Sequence, residues 1–274
     1  MTKLQTNLLQ IEIDKYNDSI STIDKSLTLS KANLDLYNSS SQQYSQEQST
    51  QIELLKQKEI AINAEIASVQ NELQNDKLTI SSKKLLNDEL SNLNLDSATN
   101  QKSINDNSIS KVSTVYEIQQ KQNSELQKSL SLQLEIAKSI QPQNYNKISV
   151  IINSQISSQK TNLSQIKDSI STLISQRDIL DKTSSAWQTI NNQVLTYQDS
   201  LESALSTLSA TYKTQLDNSN SKQLKSIESD VFDGSTEAKS KQILQDKMNY
   251  QSEYISGAEK EASILRIQNQ LEQD

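Results

Sequence analysis

Apolar side chains recur every three or four residues over most of the chain, which is the spacing of one face of an α-helix. The clearest case is residues 163–212, where one column at seven-residue spacing is apolar throughout. This column, called the seam here, consists of Ile166, Leu173, Leu180, Trp187, Val194, Leu201 and Leu208. The pattern predicts a long helix whose apolar stripe packs against other helices.

A neighbouring column, four residues further on, is polar at Arg177, Ser184, Asn191 and Gln198. A third column supplies apolar residues over the same stretch, so the stripe drifts sideways as it would on a straight helix. We therefore expect the polar column to face water. The alternative is that Asn191 is buried and fixes the register of the helices. For Trp187 we expect a core position, the alternative being an anchor at an interface with another protein.

Breaks in this pattern divide the chain into helical arms. Residues 1–140 form a first arm with breaks expected near 38–50 and 96–108, where the sequence is polar. A hinge at 141–147 contains Pro142, and a second arm covers 148–228. Asp233 and Gly234 mark a turn over 229–236, because Asp-Gly is a strong turn dipeptide. Residues 237–274 return to helical spacing and predict a C-terminal helix.

The predicted fold is therefore all-α, built from long coiled-coil-like helices. Pro142 lies near the middle of the chain, and proline ends or kinks a helix. Arms of nearly equal length on either side favour an antiparallel hairpin or bundle folded back near Pro142. The alternative is an extended rod whose apolar stripe is covered by other chains.

Composition supports helices over sheets. The 274 residues include two glycines and one proline, and 33% are hydrophobic. Sandwiches, barrels and doubly wound sheets need many tight turns, for which this chain lacks the residues. Serine, glutamine and asparagine account for 102 positions, so the helices must carry unusually polar faces. The scarcity of proline and the helical spacing of the apolar residues oppose disorder.

The sequence offers little catalytic or ligand-binding chemistry. Histidine and cysteine are absent, which excludes His-based acid–base catalysis and thiolate metal sites. We expect no enzyme activity, cofactor, metal or small-molecule ligand. The net charge of −7 disfavours nucleic acid. The N-terminal residues lack the apolar core of a secretory signal, and the densest apolar cluster, 148–152, is too short for a membrane span. These features predict a soluble protein.

These observations together predict a non-enzymatic structural component of a large assembly. We expect a rod, spacer or clamp that packs against itself or other structural proteins. A virion is the favoured assembly, as a bacteriophage tail, neck or capsid-associated part, because the scarcity of Arg, Gly and Pro fits an AT-rich coding sequence. The alternatives are an assembly chaperone or protein-binding helical module and, less favoured, a helical toxin or adhesin.

Overall fold

The computed structural model describes residues 2–39, 41–75, 78–140 and 143–229 of the chain. Every regular element in these ranges is an α-helix, which confirms the predicted all-α class. The five helices are α1 (Thr2–Leu36), α2 (Gln42–Leu73), α3 (Ile80–Ser139), α4 (Tyr145–Arg177) and α5 (Ser185–Ser229). Their lengths, from 32 to 60 residues, follow from the scarcity of glycine and proline within the helical segments.

The chain forms two compact units, with a boundary after Val115. Unit 1 contains α1, α2 and the first part of α3. Unit 2 begins at Tyr116 and contains the second part of α3, followed by α4 and α5. The 60-residue helix α3 thus belongs to unit 1 with its first part and to unit 2 with its second part.

Hydrogen bonds within unit 1 show that its neighbouring helices are antiparallel. The Lys58 ammonium on α2 lies 2.6 Å from an Asp24 carboxylate oxygen on α1. Between α2 and α3, Gln48 Nε2 donates to Ser110 Oγ at 2.9 Å, and seven residues later Asn100 Nδ2 donates to the Leu55 carbonyl at 2.8 Å. Rising numbers on one helix pair with falling numbers on the next, so the chain reverses at each connection.

The apolar core of unit 1 draws on all three of its helices. Ile62 and Val69 of α2 pack with Leu86 and Leu93 of α3, and all four are buried. Ile20 of α1 packs against this group. The seven-residue spacing of each buried pair is the helical repeat that the sequence predicts.

Unit 2 is also an antiparallel arrangement. Gln120 on α3 donates to Asn162 on α4, with 2.8 Å between Nε2 and Oδ1. Gln159 on α4 donates to Thr211 on α5, with 2.9 Å between Nε2 and Oγ1. The chain therefore reverses between α3 and α4, in the region where the hinge is expected, although Pro142 itself lies outside the described residues.

The helices begin at polar caps instead of at glycine- or proline-rich turns. A side-chain oxygen at each of four starts accepts the backbone N–H three residues ahead, which satisfies one of the unpaired donors of a first helical turn. The capping residues are Ser41 before α2, Thr79 before α3, Asn144 before α4 and Ser184 before α5. These caps explain how residues 2–229 make four reversals without using either of the two glycines of the chain.

The break expected near 96–108 is wrong, because α3 runs through this range without interruption. Polar side chains there form hydrogen bonds within the helix, since Thr99 and Ser103 donate to the backbone carbonyls four residues earlier. Asn100 is buried against α2 and anchors the segment. Tertiary contacts therefore override a weak local preference for helix.

Two reversals fall at places where the sequence predicts no break. Within 1–140 the chain turns between Leu73 and Ile80, and within 148–228 it turns between Arg177 and Ser185. The reversal between α1 and α2 ends at Ser41, so most of the break expected over 38–50 is helical. The predicted turn at Asp233 and Gly234 and the predicted helix 237–274 lie outside the described residues.

Replacement of Ile62 by alanine tests the unit 1 core. Ile62 is 0% exposed and Ile60, on the same helix, is 70% exposed. We expect Ile62→Ala to lower the free energy of unfolding by about 2–5 kcal/mol, because it removes packed methylenes and leaves a cavity. Ile60→Ala is the matched control and should cost less than about 0.5 kcal/mol. Equal losses in urea titrations of the two variants would contradict this core.

Candidate functional site

The structure divides the predicted seam between two antiparallel helices. Ile166 and Leu173 lie on α4, whereas Val194, Leu201 and Leu208 lie on α5, and all five are buried. The remaining two seam residues, Leu180 in the α4–α5 connection and Trp187 in the first turn of α5, are half-buried. Most of the seam is therefore covered within unit 2 by the chain's own helices.

The polar column beside the seam does not face water as expected. Arg177, Asn191 and Gln198 are 4%, 3% and 8% exposed. The expectation is wrong because the sequence pattern assumes one straight helix, whereas the chain reverses between Arg177 and Ser185. After the reversal α5 presents a buried face broad enough to include this column, and the alternative of a buried Asn191 is the one observed.

Arg177 is the centre of a buried polar cluster where α4 ends. Its Nη1 donates to Asn191 Oδ1 at 2.9 Å, and its Nε and Nη2 reach one Asp178 oxygen at 3.2 and 3.1 Å. The guanidinium also lies 5.5 Å from the centroid of the Trp187 ring. A planar guanidinium makes these contacts together, since it donates in its plane and stacks through its face.

A second polar cluster surrounds Glu59 in unit 1. Glu59 is 8% exposed and accepts hydrogen bonds from Ser97 Oγ at 2.6 Å, Asn100 Nδ2 at 2.9 Å and Asn63 Nδ2 at 3.2 Å. The same Asn100 amide nitrogen also donates to the Leu55 carbonyl. Neutral donors therefore hold a mostly buried carboxylate between α2 and α3.

This environment lowers the pKa of Glu59 below its ordinary value of 4.5. Burial is the largest single influence and raises the pKa, because it disfavours the charged form. The combined hydrogen bonds to the ionised carboxylate outweigh burial; they come from Ser97, Asn100, Gln101 and Asn63. The ionised form of Glu59 therefore stabilises the folded chain.

Unit 2 contains a polar cavity of about 540 Å³ between α3, α4 and α5. Its wall includes the amides of Gln120, Gln159 and Asn162 and the carboxylate of Asp199. At one end Tyr116 stacks on Tyr197, with 3.9 Å between ring centroids. Groups of this kind hold ordered water through hydrogen bonds.

Several large apolar side chains lie outside both cores. Four of them, in unit 2, belong to the last turns of α3, the residue after α3 and the first turns of α4: Leu132, Ile136, Ile140 and Val150. Others lie on the three helices of unit 1: Ile11, Leu29, Leu36, Ile60, Ile80, Leu85 and Leu95.

The described residues contain no group of three or more acidic side chains placed to hold a metal ion. Within the same part of the chain, no helix combines the length and apolar character needed to cross a bilayer.

Asp181 is an exposed residue in the α4–α5 connection. Its carboxylate accepts hydrogen bonds from the backbone N–H and the hydroxyl of Thr183. These two bonds lower the pKa of Asp181.

Comparison with known proteins gives no relative: no family model, no curated protein and no solved structure matches this chain.

Conservative replacement of Arg177 tests its cluster. We expect Arg177→Lys to lower the free energy of unfolding by about 1–3 kcal/mol, because a lysine ammonium cannot bond Asn191 and Asp178 while stacking on Trp187. Fluorescence of Trp187, the one tryptophan in the chain, should also change. Lys167→Arg on the exposed side of α4 is the control. Unchanged stability and emission would show that the cluster contributes little.

Replacement of Glu59 tests the pH dependence of unit 1. A lowered folded-state pKa means that the stabilisation is complete above the unfolded-state pKa and is lost as pH falls through the folded-state pKa. We expect Glu59→Gln to be less stable than the parent chain at about pH 7 by about 1–3 kcal/mol. The difference should shrink below the ordinary value of 4.5.

The control for this experiment is Glu53→Gln, which changes an exposed residue on the same helix. Its urea titrations should parallel those of the parent chain at every pH. A Glu59→Gln deficit of the same size at about pH 7 and about pH 2 would contradict the assignment, because a protonated Glu59 can no longer contribute as an anion.

Proposed function

We propose that the chain is a non-enzymatic helical component of a large assembly, acting as a spacer, rod or clamp that packs against further structural proteins or copies of itself. The observation that carries this proposal is the distribution of large apolar side chains. Among the described residues, fourteen are exposed, whereas the buried hydrophobic residues number twenty-one.

Leaving large apolar side chains exposed lowers the stability that a chain with 33% hydrophobic residues can gain from burial. The buried set is small enough that fourteen polar or charged residues complete the interior of the described part. Scattered apolar residues are normal on any surface, but a chain this poor in them gains stability by moving each one inward. Keeping them outside is understandable if partner proteins cover them in the assembled state.

Unit 1 provides the candidate contact residues for such partners. Ile60, Leu85 and Leu95 are between 61% and 70% exposed on α2 and α3. None of the three belongs to the core of unit 1, which lies on the buried faces of the same helices, so we expect their replacement to leave that core intact. Association and folding can therefore be tested separately.

The assembly that we favour is a virion, in which the chain would be part of a bacteriophage tail or neck or a capsid-associated component. Composition supports this choice: asparagine, lysine, isoleucine and serine are abundant, whereas two residues are arginine. The protein would be present at a fixed copy number in purified particles. An assembly chaperone, the runner-up, would be present in immature particles and absent from mature ones.

A triple replacement, Ile60→Ser, Leu85→Ser and Leu95→Ser, tests the structural role. We expect helix content to remain, with the free energy of unfolding changed by less than about 1.5 kcal/mol, since exposed substitutions usually act weakly and additively. Incorporation into particles, measured by quantitative mass spectrometry, should fall at least about tenfold. The matched control replaces exposed polar residues of the same helices, Gln57→Ala and Asn92→Ala. Full incorporation of the triple variant would contradict the proposal.

A further inference from the structure

The polar cavity of unit 2 is an elongated groove between α3 and α5. Both helices are antiparallel to α4, so they run parallel to each other. Tyr116 of α3 stacks on Tyr197 of α5 at one end, and the groove extends from there to Gln127 on α3 and Thr207 on α5. Tyr116 and Gln127 are eleven residues apart, or about 16 Å along the helix axis. The volume of about 540 Å³ lies within the range of roughly 300–1,000 Å³ that is usual for small-molecule sites.

Neutral polar side chains form most of the lining of this groove. Five of them carry amides: Gln120, Asn123, Gln127, Gln159 and Asn162. Four on α5 carry aliphatic hydroxyls: Thr196, Ser200, Ser203 and Thr207. Asp199, which is exposed, is the one charged residue that the structure places in the lining. Sites for apolar ligands are lined mainly by hydrophobic side chains, sites for anions need cationic donors, and one exposed carboxylate attracts a cation weakly. The lining therefore suits an uncharged polar ligand.

Hydrogen bonds between the helices orient these amides and leave part of each amide unused. Gln120 Nε2 donates to Asn162 Oδ1, so the Gln120 oxygen and the Asn162 nitrogen remain unbonded among the described residues. Asn123 Oδ1 accepts from the Ser158 hydroxyl at 2.9 Å, so its nitrogen remains as a donor. Gln159 is 6% exposed, and within the described part of the chain its Oε1 has no hydrogen-bond partner. The groove thus offers both donors and acceptors in fixed orientations.

The wall on α5 adds further acceptors. The hydroxyls of Thr196, Ser200 and Thr207 each donate to the backbone carbonyl four residues earlier. A hydroxyl that donates one bond still has lone pairs with which it accepts another. A ligand in the groove can therefore donate to α5 while it exchanges hydrogen bonds with the amides of α3 and α4.

We propose that this groove binds a neutral carbohydrate, either a short free oligosaccharide or the exposed end of a glycan chain. Each hydroxyl of a sugar both donates and accepts, which matches a lining of amides and hydroxyls that offers both. A neutral sugar needs no cation in the site, and a linear oligosaccharide fits an elongated groove. Its hydroxyls supply donors to acceptors such as Gln159 Oε1 that lack one.

This inference differs from the sequence-based expectation of no small-molecule ligand. That expectation follows from the absence of histidine and cysteine, which concerns catalysis and metal ligation, whereas sugar recognition needs hydrogen-bonding groups. The inference also goes beyond the proposed structural role, because the candidate contact residues for partner proteins, Ile60, Leu85 and Leu95, belong to unit 1. Failure of one proposal therefore leaves the other standing.

An array of immobilised glycans, probed with the full chain, tests the inference, and calorimetric titration with the free glycan that binds best then gives its affinity. We expect selective binding of neutral glycans, and weaker binding of glycans that carry sulfate or carboxylate groups. Ser203→Trp fills the groove from α5 and should weaken binding at least about tenfold. Ser206→Trp is the matched control, because Ser206 is also exposed on α5 and lies outside the groove lining. It should change the affinity less than about twofold.

A second variant tests the hydrogen bonds without changing the size of a side chain. Asn123→Asp keeps the oxygen that accepts from Ser158 and replaces the donor nitrogen by a second oxygen. We expect it to weaken glycan binding at least about tenfold, because a sugar oxygen that accepted from the nitrogen then faces another acceptor. Asn192→Asp introduces the same charge at an exposed position of α5 outside the groove lining and should bind like the parent chain. Circular dichroism of all four variants should match that of the parent chain.

Three results would overturn the inference. The first is an array on which no neutral glycan binds. The second is preferential binding of charged glycans, since the lining holds no cationic side chain among the described residues. The third is an affinity that Ser203→Trp and Asn123→Asp change no more than their matched controls do, because the sugar would then bind elsewhere on the chain.

Discussion

The need to bury polar side chains with hydrogen-bonding partners governs this fold. With 33% hydrophobic residues, the three helices of each unit cannot fill their contacts with apolar groups alone. Glutamine, asparagine, glutamate and arginine therefore enter the interior, and an unpaired buried polar group costs about 1–3 kcal/mol. Asn100 meets this requirement through the Leu55 carbonyl and Gln120 through Asn162, whereas among the described residues Gln48 Oε1 and Gln198 Oε1 are buried without a hydrogen-bond partner. The relative position of two helices is thus set by where amides find partners as well as by where apolar side chains interlock.

This requirement also makes the packing specific. A leucine on a helix face tolerates small shifts of the neighbouring helix, whereas a buried amide loses its partner when the helix slides by one residue. Asn100 donates both to the Leu55 carbonyl and to the Glu59 carboxylate on α2. Both bonds form in the same register of α2 against α3. Arg177 has the same effect at the end of α4, where it bonds Asn191 of α5 and Asp178 of its own connection. Polar clusters near the ends and the middle of the units thereby select a single antiparallel alignment.

Helical periodicity predicts the fold class and the apolar seam, five of whose seven residues are buried, including Ile166, Leu173 and Val194. It fails at the chain reversals. The seam remains in phase across the α4–α5 connection, so its spacing carries no sign that the chain turns at residues 178–184. The local signals are Asp181, which accepts from Thr183, and Ser184, which caps α5. In a chain with 45 serines such caps are hard to distinguish from the polar residues of helix interiors.

The candidate site was less predictable than the fold, because burial of a polar column depends on which helices meet. Arg177 and Asn191 are separated by a reversal, and their contact exists only once α4 and α5 are antiparallel. The same logic applies to Glu59, whose pKa depends on donors from α3, about forty residues away in sequence. Sequence periodicity predicts which side chains share one face of a helix. It does not predict which other helices pack against that face. Buried polar side chains such as Arg177 and exposed apolar side chains such as Ile60 are each the reverse of what periodicity alone favours, because both depend on which helices meet in the folded chain.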